Sequence, residues 1–383
     1  MAPQRPDGAD ATRPTPPRGW RAKGKPGQTR AVSPDQGPLY AALDLGTNSC
    51  RMLIARPRGS YLHVVDSFSK TVQLGQGLGA SGRLSRASMG RTVQALRVCQ
   101  QKLDRHGVAR MRLVATEACR RASNAPEFIR TVERETGLRL EIIAPEEEAR
   151  LAVVSCAPLI DRATENLLVV DIGGGSTELV WIDLGSVAPE GRARAVLALG
   201  PGLRGGAGGG GGGARVVDWI SVPIGVATLH EAFADVQSDA ARFALMSWHF
   251  EEHLTGFSPY NAETRREGFQ IIGTSGTVTT VAATHLGLRR YDRTRVDGLT
   301  MTSAQIDGVI REYLALGPEG RRTDPRIGRE RHTLIMSGAA ILQALMRVWP
   351  TDALSVADRG LREGLLYDQM SADGVLTTEG GAA

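Results

Sequence analysis

NLLVVDIGGGSTELVWID (166–183) sets an apolar run, an aspartate, a glycine turn, two hydroxyls and a second apolar run in order. Short β-branched runs on both sides of such a turn predict strand, tight turn, strand. The same grammar stands earlier, in LYAALDLGTNSCRMLIARP (39–57). Asp44 opens the first turn and Asp171 the second, so one structural unit is predicted to recur, once in each half of the chain.

Working outward, strand and helix material alternates, which predicts an α/β architecture. A helix is expected over 85–105, with Met89, Val93, Leu96 and Leu103 on one face and Gly107 as its stop. A strand follows near 111–115. SNAPEFIRTVERETG (123–137) reads as a helix capped by Ser123 or Asn124 and ended by Gly137. LRLEII (138–143) reads as a strand. PEEEARLAVV (145–154) opens a helix with a proline and three acids. Later, SVPIGVATLHEAF, IIGTSGTVTTVAATHLGL and HTLIMSGAAILQALM continue the alternation. The Pro-, Gly- and Arg-rich residues 1–38 are expected to be a disordered basic tail, and 376–383 a short C-terminal tail. The stretch around 187–214, with GGAGGGGGGA (205–214), is expected to be a flexible insertion at a hairpin tip. The expected domains are thus 39–150 and 151–375.

Bulk properties narrow the function. The 383 residues suffice for two domains, and 42% apolar content for buried cores. Aromatics make up only 5%, so no platform for stacking bases is advertised and no nucleic-acid partner is expected. A formal net charge of +5 favours acidic partners, although much of the excess lies in the tail. Cys50, Cys99, Cys119 and Cys156 are scattered without zinc-like spacing, which fits a reducing cytoplasm. No apolar run reaches the length of a membrane span, so no membrane partner is expected.

The chemistry concentrates in the two turns. Glycine turns present several backbone N–H groups to one point without a Cβ in the way, which suits a phosphate. DLGTNS (44–49) and DIGGGSTE (171–178) both do this and add hydroxyls from Thr47, Ser49, Ser176 and Thr177. Neither has the pattern of a nucleotide P-loop, and neither opens a helix as a dinucleotide fingerprint does. Asp44, Asp171 and Glu178 are hard oxygen donors beside these turns, a set that suits Mg²⁺ together with substrate phosphate. For the three acids Glu146, Glu147 and Glu148, two readings stay open: helix-end electrostatics, or one carboxylate aimed into a cleft as a general base.

The ordered motifs ALDLGTNSCRMLIA, VATEACRRASN, EIIAPEEEARL, LLVVDIGGGSTELV, VPIGVATL, GTSGTVTTV and ADRGLREGLL give the chain a family resemblance. From about residue 39 to about 370 it resembles the Ppx/GppA family of exopolyphosphatases and guanosine pentaphosphate phosphohydrolases. The resemblance implies two actin-like (ribonuclease H-like) domains enclosing a cleft. It implies that Glu148 activates water and that Asp171 and Glu178 support Mg²⁺. Gly46, Thr47, Asn48 and Ser49, with Gly173, Gly174, Gly175 and Ser176, would hold phosphates. Arg120 would contact phosphate oxygens, while Arg121 falls where the family varies. Long members carry a further helical C-terminal region, so this chain looks like a short form, and a homodimer is expected.

The leading expectation is Mg²⁺-dependent release of terminal phosphate from inorganic polyphosphate, with guanosine pentaphosphate (pppGpp) the nearest alternative. An actin-like kinase or a non-catalytic polyphosphate-binding regulator would share the turns, but the placement of EEEAR and the retained acids argue against both. His285 and His332 read as structural. GTSGT (273–277) stands where actin-like ATPases bind the nucleoside, and reads equally well as a strand-to-helix turn.

Overall fold

The computed structural model describes residues 37–376, apart from 60, 109, 201, 204–212, 265–266 and 329. The expected tails at 1–38 and 376–383 lie almost wholly outside the described residues. Two mixed sheets organise the rest. The first is built from β1 (Tyr40–Leu45), β2 (Ser49–Arg58), β3 (Tyr61–Thr71), β4 (Arg110–Ala115) and β5 (Glu141–Ile142), in the order β3-β2-β1-β4-β5. The second is built from β6 (Asn166–Ile172), β7 (Thr177–Asp183), β8 (Arg215–Val222), β9 (Phe269–Thr274), β10 (Thr300–Met301) and β11 (Leu354–Ala357), in the order β10-β11-β9-β6-β7-β8.

In each sheet an antiparallel three-strand meander is followed by two parallel strands on the other side of its first strand, and in the second sheet the short antiparallel β10 is added at that edge. The same plan therefore occurs twice, as the repeated turn grammar predicts, and it is the plan of actin-like, ribonuclease H-like domains.

Strand alternation decides what each sheet face meets. Ala41, Leu43 and Leu45 pack with Leu96, Leu103 and Phe128 of two helices on one side. Tyr40 and Ala42 point the other way, into a cluster with Leu151, Leu361, Leu365 and Met370. The C-terminal helix Leu361–Ala372 thus returns to cover the first sheet and crosses the helix Pro145–Cys156 at Gly364, where a Cβ would run into the Leu151 carbonyl oxygen. In the second sheet, Leu167 and Val169 face Ala149, Val153 and Cys156 of the helix Pro145–Cys156. Leu168, Val170 and Ile172 face the larger core built on the helices Gly276–His285 and Ile335–Val348.

Three expectations are corrected. Residues 187–203 are not structureless: the helix Arg192–Leu197 forms, and Val187, Val196 and Leu203 are buried against the second sheet. The glycine run dominates the composition there and masks these apolar anchors; 201 and 204–212 lie outside the described residues. LRLEII yields only the two residues Glu141–Ile142 as strand, because only Glu141 and Ile142 reach β4. Asn124 stands at the N-cap of the helix Ala125–Thr136 without capping it. Its amide instead brackets Leu84, accepting from that N–H at 2.8 Å and donating to that carbonyl at 3.0 Å.

Among the described residues no helix is long and apolar enough to cross a membrane. The four cysteines are buried and unbridged.

Candidate active site

The two turns are closed by the same hydrogen bond: Gly46 N–H donates to the Ser49 carbonyl at 3.0 Å, and Gly173 N–H to the Ser176 carbonyl at 2.9 Å. They meet edge to edge. A Cβ on Gly174 would stand 3.1 Å from Asn48 N and 3.3 Å from Thr47 Cβ, and one on Gly175 would strike Thr47 Oγ1. Neither glycine has a left-handed φ, so here glycine supplies room for the opposing turn. Gly225, in VPIGVATL, backs the second turn so closely that a Cβ would lie 2.5 Å from the Gly173 carbonyl oxygen.

Together the turns line a cavity of about 330 Å³. All eight of the expected phosphate-turn residues border it, from Gly46 to Ser49 and from Gly173 to Ser176. Thr47 Oγ1 is buried without a hydrogen-bond partner, a cost that a phosphate oxygen would remove.

Asp44, Asp171 and Glu148 also border the cavity. Asp171 sits at the end of β6 on the face covered by the helix Pro145–Cys156, whose first turn carries Glu148. Glu178 is the cross-strand partner of Asp171, lies just behind the lining, and accepts a hydrogen bond from Ser221 Oγ at 2.8 Å. Burial raises the pKa of Asp171 to about 8, and the charges of Glu148 and Asp44 add to it against Arg51. Burial also raises Glu148, with Glu178 reinforcing the shift and Arg120 opposing it. Glu178 is raised by burial and by Asp171, while bonds from Ser176 and Ser221 pull it down.

The three consecutive acids have separate partners. Glu146 accepts from the Leu203 N–H at 2.7 Å. Glu147 is held by Arg112 and Arg150 at 2.9 and 2.8 Å. Glu148 alone borders the cavity. Arg120 does not border it: its guanidinium reaches Glu148 at 2.7 Å, Glu117 at 2.9 Å and the Ile143 carbonyl at 3.0 Å. Arg121 is half exposed and lies 4.0 Å from Glu117. His285 and His332 do not border the cavity.

Sequence reasoning did not single out several charged residues that do, among them Glu117, Arg51, Arg331, Arg359 and Arg362. Glu117 positions Arg120. Arg331 occupies the GTSGT corner, donating to the Gly276 carbonyl at 2.7 Å, while Ser275 caps the helix Gly276–His285. Arg51 and Arg362 stand beside Asp44, which is raised by burial against the pull of both arginines. The hairpin register pairs Asp44 with Arg51, and ADRGLREGLL supplies Arg362.

The donor chemistry suits a hard cation. Among the described residues the lining holds carboxylates, hydroxyls and guanidiniums and no thiol or imidazole. Among the described residues no three His, Cys, Asp or Glu side chains form a ready-made metal group. Mg²⁺ would here need one or two of the lining carboxylates with substrate phosphate completing its shell.

The likeness to known proteins is extensive. The Ppx/GppA phosphatase family profile matches residues 53–373. The guanosine-5'-triphosphate,3'-diphosphate pyrophosphatase of Aeromonas salmonicida is 31% identical over 332 residues, covering 86% of this chain and 59% of the relative. The chain therefore spans about three fifths of the length of that curated relative. The solved Ppx/GppA family member of Aquifex aeolicus is 29% identical with a TM-score of 0.68, over 88% of this chain and 98% of the other. An exopolyphosphatase of Cytophaga hutchinsonii, 22% identical, shares the fold with a TM-score of 0.71, over 88% of this chain and 98% of its own. With its later motifs inside the matched span and its first glycine turn (44–49) just ahead of it, the chain belongs to the Ppx/GppA phosphatase family.

Proposed function

We propose that the chain hydrolyses the terminal phosphoanhydride of inorganic polyphosphate. The observation that carries this reading is the lining itself. It combines two N–H-rich turns with Arg51, Arg331, Arg359 and Arg362, and among the described residues it includes no aromatic side chain. A phosphate chain needs donors and positive charge along its length, whereas a purine is usually held by stacking. The corner where an actin-like ATPase would seat a nucleoside is taken by the Arg331 guanidinium. The name of the Aeromonas relative favours a second reading, hydrolysis of pppGpp by the same chemistry.

In this account the turns hold the terminal phosphate through backbone N–H groups and the Thr47 hydroxyl. Glu148 accepts a proton from water, whose oxygen forms the new bond to phosphorus. The bridging P–O bond breaks and its electron pair stays on the shortened chain. A base works best with a pKa near ambient pH, and burial moves Glu148 in that direction. Arg120, fixed by Glu117, orients the Glu148 carboxylate and favours its charged form. Mg²⁺, when bound, would neutralise phosphate oxygens. Asp171 is its most direct carboxylate, with Glu178 behind it, whereas Asp44 already has two arginines beside it.

Orthophosphate release from long-chain polyphosphate, tripolyphosphate and pppGpp, measured side by side with Mg²⁺, tests the reading. Faster turnover of polyphosphate supports it. Turnover of pppGpp alone would move the assignment to the second reading, and transfer of phosphate to a small-molecule acceptor would replace both.

A further inference from the structure

The chain has seven histidines, and two of them, His249 and His253, stand four residues apart at one helix end. The helix Asp239–Glu252 ends at His253, whose backbone is still right-handed helical. Side chains four apart on a helix share one face. Here the two rings meet, with centres 4.8 Å apart and planes at 72°. Neither borders the cavity between the glycine turns. Among the described residues no hydrogen bond reaches Nε2 of either ring.

The His253 ring is held in one tautomer. Its Nδ1 lies 2.9 Å from the His249 carbonyl oxygen. That bond closes the helix end, and it has a second effect. A carbonyl only accepts, so Nδ1 carries the proton and Nε2 keeps its lone pair. A backbone carbonyl that takes the far N–H is also the usual support of a metal-bound imidazole. His249 is held differently, by the Phe233 ring, which meets it edge-on at 5.5 Å. Burial lowers the pKa of His249, and the charge of His253 adds to this against Glu252, which favours the neutral ring.

The spacing of the rings fits a single ion. With metal–nitrogen bonds of about 2.0–2.1 Å, two imidazoles on one zinc ion stand about 5 Å apart, centre to centre. We propose that His249 and His253 form a two-histidine site for a divalent transition-metal ion of the zinc and copper class. Imidazole suits these ions, whereas Mg²⁺ prefers oxygen, so the site differs from the glycine-turn cavity in chemistry as well as in place. Among the described residues no third His, Cys, Asp or Glu joins the pair. A bound ion therefore keeps positions for water or an added ligand, and it exchanges instead of holding the fold together.

Calorimetric titration of the full chain with Zn²⁺, in excess Mg²⁺, tests the site. His249→Gln and His253→Gln should each weaken one Zn²⁺ site roughly 100-fold, the lower end of what linking two binding groups adds. Loss of the same single site in both variants supports the proposal. Two sites that vanish one at a time would mean separate surface histidines and would overturn it. Zn²⁺ binding unchanged in both folded variants overturns it as well. Should His249→Gln fail to fold, His253→Gln, at an exposed position, decides alone. Cu²⁺ supplies an independent readout by electron paramagnetic resonance. Two nitrogen ligands on the wild type, reduced to one in His253→Gln, support the pair, and the same spectrum from both proteins contradicts it.

Discussion

The two glycine turns share a backbone and differ in charge. Each begins with an aspartate at the end of a central strand, closes with the same Gly-to-Ser hydrogen bond and lies beneath the start of a helix. At the first turn the cross-strand partner of the aspartate is Arg51 and the helix start brings Arg362. At the second turn the corresponding places hold Glu178 and Glu148. One duplicated frame therefore presents a cationic wall and an acidic wall to one cavity. A phosphate chain needs the first, and a metal ion with a water to be deprotonated needs the second. The fold supplies the geometry, and four side chains at matching positions divide the chemistry.

The sharpest way to break this comparison is on the acidic wall. Glu148→Gln keeps size and loses the proton acceptor, so kcat should fall by about 10²–10⁴-fold while tripolyphosphate still binds. Near-normal kcat in the folded variant would remove Glu148 from the mechanism. A smaller effect is expected where the turns touch. Gly174→Val sets a branched side chain against Asn48 N and Thr47, so the turns must part. KM should rise roughly tenfold or more, because each bound phosphate then loses several aligned N–H donors. A wild-type KM would show that the turns need not touch.

The smallest effect is on stability without ligand. Asp171 titrates near pH 8 when folded and near about 4 when unfolded. Between these values the folded protein keeps a proton that the unfolded chain has released, so stability falls as pH rises from about 4 to about 8. Asp171→Asn is neutral throughout and should flatten that decline in thermal melts at about pH 5 and about pH 8. A wild type that gains stability across the same window would contradict the buried acidic wall.

Much of this was legible in the sequence. The period of two and the glycine punctuation gave away both hairpins, and all eight expected phosphate-turn residues border the cavity, whereas the Thr177 hydroxyl donates to the Ile224 carbonyl instead. Charge sharing was harder to see, because it depends on register. Arg51 and Glu178 lie at the same offset from their aspartates, so counting across the hairpins would have found both. Glu178 drew notice as an acid near the turn, while Arg51 passed as an ordinary strand residue. Contacts between distant segments were not legible at all. Nothing local says that Glu146 holds Leu203, that Arg120 reaches Glu148, or that the C-terminal helix brings Arg362 to Asp44. The helix Arg192–Leu197 was hidden for a different reason, since composition averaged over a glycine run outweighed the apolar anchors Val187, Val196 and Leu203.

The division between the walls is tested most directly by neutralising the two equivalent cross-strand residues. Arg51→Gln and Glu178→Gln would be compared in one assay that yields kcat for polyphosphate and Kd for tripolyphosphate. The account predicts opposite signatures: Arg51→Gln weakens binding roughly tenfold or more with most of kcat retained at saturation, and Glu178→Gln lowers kcat with binding equal or tighter. Two variants that lose the same parameter to the same extent would contradict it.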